Sequence, residues 1–238
     1  MKELKFAVAT ALMTASVSTL AVEGPGGKWL GEAELGVIYT HGNTKTETYN
    51  GKLGFSHEKG SLKHAINLEA LRAESDGTKS AEKYFAKGKS DYKFTAKDYA
   101  FGSAEYENDK FSGYERRTTE VLGYGRNLIS NDTTKLDIEA GPGARQSKLD
   151  NGDSENEWMI RALGKLEWKI SKTATFTETV TADFAEEAKI YKSVSALSAQ
   201  VIGALAMKVS YTIKHVSDVP VGIDKTDGEA ALTLVYKF

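Results

Sequence analysis

Apolar and polar side chains alternate with a period of two along most of this chain. The clearest stretch is 158–170, where Trp158, Ile160, Ala162, Gly164, Leu166, Trp168 and Ile170 share one parity and Arg161, Lys165, Glu167 and Lys169 the other. Side chains of an extended strand point to opposite faces in turn, so this is a strand with one apolar and one wet face. Leu205, Met207, Val209, Tyr211 and Ile213 alternate in the same way with Lys208, Ser210, Thr212 and Lys214. Stretches 29–41, 49–57, 62–71, 86–94 and 136–145 repeat the pattern. Three more, 99–106, 118–128 and 175–184, have strand composition but no clean choice of face; Glu178, for example, shares a parity with Phe176 and Val180. With 193–201 and 232–238, the pattern predicts about twelve strands.

The connections sort into two kinds. Short links near 58–60, 95–98, 130–134, 171–174 and 203–204 alternate with long polar ones at 75–81, 108–117, 146–156, 185–192 and 217–227; the first link, 41–45, is the exception. Short turns at one end and long loops at the other predict an all-β fold, a transmembrane antiparallel up-and-down β-barrel, with turns toward the periplasm and loops outside. Strands of this length suit a tilted membrane span of ~9–11 residues better than the ~5–6 usual in soluble sheets. A soluble sandwich also alternates. Ionisable side chains on the wet face suit a polar lumen instead, and Trp29, Tyr39, Tyr49, Trp158, Trp168, Tyr236 and Phe238 near strand ends suit interfacial girdles.

Composition narrows the chemistry. The 238 residues contain no cysteine, which excludes disulfides, thiolate metal sites and cysteine nucleophiles. Three prolines are too few for a Pro-rich linker, and a net charge of -2 gives no reason to expect a nucleic-acid partner. Met1 to Ala21 places Lys2 and Lys5 before an apolar run and then small residues, the order of a secretory signal peptide. The expected organisation is a signal peptide at 1–21, a lead-in at 22–28 and a barrel over 29–238. No cofactor is indicated.

Face assignment puts Glu32, Glu34, Lys52, Lys63, Glu69, Lys87, Lys89, Asp91, Lys93, Glu139, Arg145, Arg161, Lys165, Glu167, Lys169, Lys208 and Lys214 in the lumen. Both signs are present, with a basic excess. Such a lining either forms a water-filled passage that favours anions among small ions or solutes, or pairs across a filled lumen that it keeps hydrated. Twelve strands lie between the side-chain-filled ~8-strand barrels and open 16-strand porins, so strand count does not decide. A hydrolase on the barrel wall would need one of the four histidines, His41, His57, His64 and His215, as base. None sits in a catalytic motif, and the chain is expected not to be an enzyme. Asp150 to Glu155 carries oxygen ligands without the spacing of an EF-hand and reads as a solvated acidic loop. Glu105, Glu107 and Asp109 with Arg116 and Arg117 are expected to interlock in an external loop, or to hold lipopolysaccharide phosphates through the arginines. Adhesion through the long loops is a third class of function.

Two resemblances add to this. The closing run from Ala231 to Phe238, with Leu232, Leu234, Tyr236 and Phe238 on one parity, resembles the C-terminal signal that outer-membrane barrels present to their assembly machinery. The exported chain also resembles the YdiY-like family, a domain of unknown function described as salt-induced outer-membrane proteins. The residues that carry this are 31–36 (GEAELG) with His41-Gly42-Asn43-Thr44, and 105–109 (EYEND) with Phe111, Tyr114 and Arg117. Gly141-Pro142-Gly143-Ala144-Arg145, Asp218-Val219-Pro220 and Lys225-Thr226-Asp227 extend the match, although Ala144 stands where relatives often carry an aromatic. The resemblance implies a barrel among outer-membrane lipids in a Gram-negative bacterium, and brings no substrate or catalytic residue with it.

Overall fold

A computed structural model of the chain describes residues 23–24, 26–41, 47–75, 78–110, 112, 114–219 and 224–238; the expected signal segment lies outside them. Twelve long strands follow one another: β1 (Gly27–His41), β2 (Glu47–Lys59), β3 (Leu62–Ser75), β4 (Thr78–Lys93), β5 (Asp98–Asp109), β6 (Tyr114–Ser130), β7 (Thr134–Leu149), β8 (Ser154–Lys169), β9 (Ala174–Ala185), β10 (Ile190–Ile202), β11 (Leu205–Val216) and β12 (Thr226–Lys237). Each pairs antiparallel with its neighbours in sequence, and β12 pairs with β1, so the sheet closes and has no free edge. Glu23 and Gly24 fold back onto Gly27 and Lys28 ahead of β1.

The strands are strongly staggered. Partner residues traced from Lys28 at the start of β1 run through Glu58, Lys63, Asp91, Phe101 and Gly123. From the adjoining Gly141 they continue through Arg161, Asp183 and Ile190 to Val216, at the far end of β11. A perpendicular walk around the wall therefore climbs from one rim to the other, which means that the strands tilt, as closure requires.

The two rims differ. At the turn end the links are 60–61, 94–97, 131–133, 170–173 and 203–204, as the alternation predicts. Gly60 and Gly203 open the two-residue turns with φ of 59° and 53°, a left-handed backbone that a side chain would strain. In the longer turns a side-chain oxygen accepts from the backbone: Thr95 from Asp98 N at 2.8 Å, Asn131 from Thr134 N at 2.7 Å, and Ser171 from Ala174 N at 3.0 Å. At the loop end the links are shorter than expected, being 76–77, 110–113, 150–153, 186–189 and 217–225. Beyond the apolar band both faces of a strand are wet, so alternation disappears while backbone pairing continues. That is why residues read as loops are strand here.

Outside, the barrel presents an apolar wall. Leu35, Leu53, Ile66, Leu122, Ile160, Val209, Leu232 and Leu234 are exposed on it. Trp29, Tyr92, Phe94 and Trp168 lie on its turn-end border, and Tyr84, Tyr106, Trp158, Phe184 and Tyr191 on its loop-end border. Two aromatic girdles flanking an aliphatic band are the surface a bilayer requires. Of the other expected girdle residues, Tyr39 and Tyr49 have side chains outside the described residues.

The strands of ambiguous face owe their ambiguity to an inverted arrangement. Tyr99 and Phe101 on β5 point inward and are buried with Val121 and Met159. They lie flat on inward-facing glycines: a Cβ at Gly125 would stand 2.3 Å from the Tyr99 ring, and one at Gly123 2.7 Å from Phe101. Aromatic residues inside and glycines beneath them erase the usual apolar-outside signal.

Candidate functional site

Inward-facing side chains of all twelve strands converge on one charged interior. Its best-ordered unit is Arg161 on β8, whose guanidinium donates to both carboxylate oxygens of Asp183 on β9, at 2.7 and 2.8 Å, and to Glu105 on β5 at 2.6 Å. Glu105 also pairs with Lys87 at 2.7 Å, so four strands are tied by one network. Arg145, only 2 % exposed in its side chain, bonds Glu157 at 2.6 Å and donates to the Ala188 carbonyl at 2.9 Å. It thereby pins the β9–β10 link over the loop-end mouth.

Toward the turn end, Lys89 pairs with Glu139 and lies 3.0 Å from Asp91, its ammonium 5.3 and 4.9 Å from the Tyr99 and Phe101 ring centroids. Tyr99 donates to Glu139 at 2.8 Å. Lys93 meets Glu58 at 2.5 Å, and Lys63 stands in register between Glu58 and Asp91. Lys52 meets Glu69 at 3.2 Å, Glu34 pairs with Lys208 two strands away, Glu32 lies 3.8 Å from Lys237, and Glu167 lies 3.4 Å from exposed Lys135. Lys165 and Lys169 form no ion pair with any other described residue.

Toward the loop end the pairing loosens. Glu107 on β5 lies 3.4 Å from Lys83 on β4 and 3.4 Å from Lys214 on β11. Because β5 and β11 are six strands apart in a ring of twelve, this contact crosses the lumen from wall to wall. Lys83 also lies 3.7 Å from Asp109. Arg117 stacks 4.1 Å from the Tyr114 ring and donates to Ser147 at 3.3 Å, and Lys192 projects from β10 into the same space. These groups line a cavity of about 400 Å³.

The seventeen expected lining residues share the inward parity of their strands, and half of their ion-pair partners among the described residues come from outside that set. Glu58, Lys83, Glu105, Glu107, Asp109, Arg117, Glu157, Asp183 and Lys192 share the interior, and the acids among them offset the expected basic excess. Glu105 and Glu107 do not interlock in an external loop; they are β5 residues inside the barrel. Arg116 is exposed on the outside, apart from Arg117. A signal for these acids was present, because Glu105, Glu107 and Asp109 recur at every second position.

The remaining motifs serve local structure. Asn151 and Asp153 hydrogen-bond each other across Gly152 in the β7–β8 link. His57 faces outward, donates from Nε2 to the Gly26 carbonyl at 2.8 Å and lies 4.3 Å from the Trp29 ring. His215 contacts Thr226 at 2.8 Å, and His64 contacts Ser90 at 2.7 Å on the outer wall. The His41 side chain lies outside the described residues. At the turn-end rim, where β5 begins, hydrogen bonds from Tyr124 and Thr95 and the nearby Arg126 hold the Asp98 carboxyl below the usual carboxylate range. At the closing strand Leu232 and Leu234 face outward, Tyr236 stacks 6.0 Å from Phe238, and the Phe238 ring covers Gly31 of β1.

Comparison with known proteins fits this architecture. The family described as "Protein of unknown function, DUF481" matches residues 33–238. The chain belongs to the DUF481 family. A relative, the uncharacterized protein YdiY of Escherichia coli (strain K12), is 29% identical over 207 residues, 87% of this chain and 82% of YdiY. Among solved structures, the NanC porin superposes with a TM-score of 0.60 at 10% identity, covering 87% of this chain and all of NanC. The COG4313 outer membrane channel from Pseudomonas putida F1 gives 0.54 at 10% identity, covering 90% of this chain and 96% of the channel. At these identities the likeness is one of fold: this DUF481 chain is a transmembrane antiparallel barrel of the outer-membrane kind.

Proposed function

We propose that this protein sits in the outer membrane of a Gram-negative bacterium and passes small hydrophilic solutes or ions through its lumen. The observation that carries this reading is the interior, where ion pairs line a cavity of about 400 Å³ and the apolar cluster of Tyr99, Phe101, Val121 and Met159 fills only part of the lumen. A chain that only needed to fill a barrel would do so more stably with apolar groups, since burying ion pairs is costly. Lys165, Lys169 and Lys192, which have no acid within ion-pair distance among the described residues, bias the passage toward anions. The porin and channel folds of the structural neighbours support the same reading. Residues 1–21 serve as the export signal, outer-membrane lipids cover the apolar wall, and the assembly machinery reads the closing strand through Leu232, Leu234, Tyr236 and Phe238. The chain acts on no covalent bond.

Planar-bilayer recording of the refolded barrel without residues 1–21 tests this. Discrete conductance steps with a reversal potential favouring anions in a salt gradient are expected. Inserted protein without conductance would overturn it and favour a second reading, a non-conducting structural or stress-response envelope protein. That reading draws on the Glu107–Lys214 contact, which spans the lumen and narrows it.

A further inference from the structure

The lumen treats its charges in two different ways. Around Arg161 every cation has a close acid, with contacts of 2.6 to 2.8 Å. A few residues toward the loop end, Lys83, Arg117, Lys192 and Lys214 converge from four strands on the same cavity, and their acids are few and distant. Glu107 stands 3.4 Å from each of two of these lysines, and Asp109 3.7 Å from Lys83. Arg117 and Lys192 have no carboxylate within ion-pair distance among the described residues. Glu69 is occupied by Lys52, and Glu229 acts at longer range on both Lys52 and Lys83.

We propose that Lys83, Arg117, Lys192 and Lys214 form a binding site for a small organic carboxylate, and that the Glu107 side chain is its tethered stand-in. Four cations from different walls gathered around Glu107, with Asp109 touching Lys83, leave donors to spare. Charge-assisted bonds to a carboxylate close to about 2.7–2.9 Å when unhindered, whereas Glu107 stands 3.4 Å from Lys83 through Oε2 and 3.4 Å from Lys214 through Oε1, which leaves both lysines room for a closer anion. A diffusible dicarboxylate has no tether and settles at the shorter distance from both lysines, with its second carboxylate toward Arg117 and Lys192. The cavity, about 400 Å³, falls in the lower range of small-molecule pockets. Swinging aside for the solute, Glu107 would also release Lys214 and clear the lumen, so binding and opening would be one event. This proposal rests on the passage reading for its purpose, but not for its test.

Titration calorimetry of succinate into the refolded barrel in detergent measures the site whether or not the lumen conducts. Saturable binding is expected, weakened about tenfold by Lys192→Gln and strengthened about tenfold by Glu107→Gln, each the effect of one charge across a partly hydrated gap. Lys192 has no ion pair to lose, so its variant keeps the fold, which heat-modifiable gel mobility checks. Binding that is absent, or unaltered in both variants, overturns the site. The same samples in bilayers separate the two ideas: conductance without succinate binding removes the site and keeps the channel, whereas binding without conductance keeps the site and removes the channel.

Discussion

At the scale of single residues, the interior charges are worth more as a network than as a list. Arg161 and Asp183 have side chains only 11% and 7% exposed; without Arg161, the nearly buried Asp183 keeps only Arg145, at 4.0 Å. Arg161→Met should lower unfolding stability by about 3 kcal/mol, because Asp183 loses its two-pronged partner while Glu105 keeps only Lys87. The double variant Arg161→Met, Asp183→Asn should cost less than the sum of the single changes, and urea unfolding in detergent followed by tryptophan fluorescence measures both. Half-buried Asp98 behaves differently. Its carboxyl is held below its ordinary value, so the stability it contributes is present above the unfolded-state value and is lost as pH falls through the folded one. Asp98→Asn should therefore melt below the wild type near neutral pH and coincide with it in strong acid; parallel melting curves at every pH would reject the role of the turn.

At the scale of the element, β5, β6 and β7 depend on a glycine pavement that carries two aromatic rings. Gly125→Val would drive a side chain into Tyr99, break the Tyr99–Glu139 bond and move the rings from beneath Lys89. It should abolish the folded, heat-modifiable band on gels. Gly164→Ala, where an added Cβ meets nothing within 4 Å, should leave that band intact. The same strands mark how far the sequence alone could be read. Where lipid covers one face and water the other, as in β8 and β11, parity reveals the strand and its orientation. Where aromatic rings turn inward, as at Tyr99 and Phe101, the two solvents no longer sort the residues. Past the apolar band both faces are wet, and the loop-end halves of β4 and β12 then read as loop. Interior partners were the least legible, since Glu107 and Lys214 meet only through the tilt and closure of the whole sheet, which no local pattern records.

At the scale of the whole molecule, the tightness of charge pairing changes along the barrel axis. Near the turn end Lys165 and Lys169 project from β8 without an acid at ion-pair distance among the described residues, facing the threonines of β9. Midway, Arg161, Glu105, Asp183 and Lys87 neutralise one another, and toward the loop end the looser group around Glu107 is again cationic. A permeating anion would therefore meet lysines without an ion-pair partner among the described residues at both approaches and a paired waist between them. In such a profile the two ends act in series, and reversing the charge of one end makes it the barrier that anions must cross. Lys165→Glu with Lys169→Glu should shift the reversal potential in a salt gradient toward cations, while conductance steps persist because the paired network that shapes the waist is untouched. If a conducting protein keeps its reversal potential after this double change, ions do not pass along β8, and the selective region must lie entirely at the loop-end cluster.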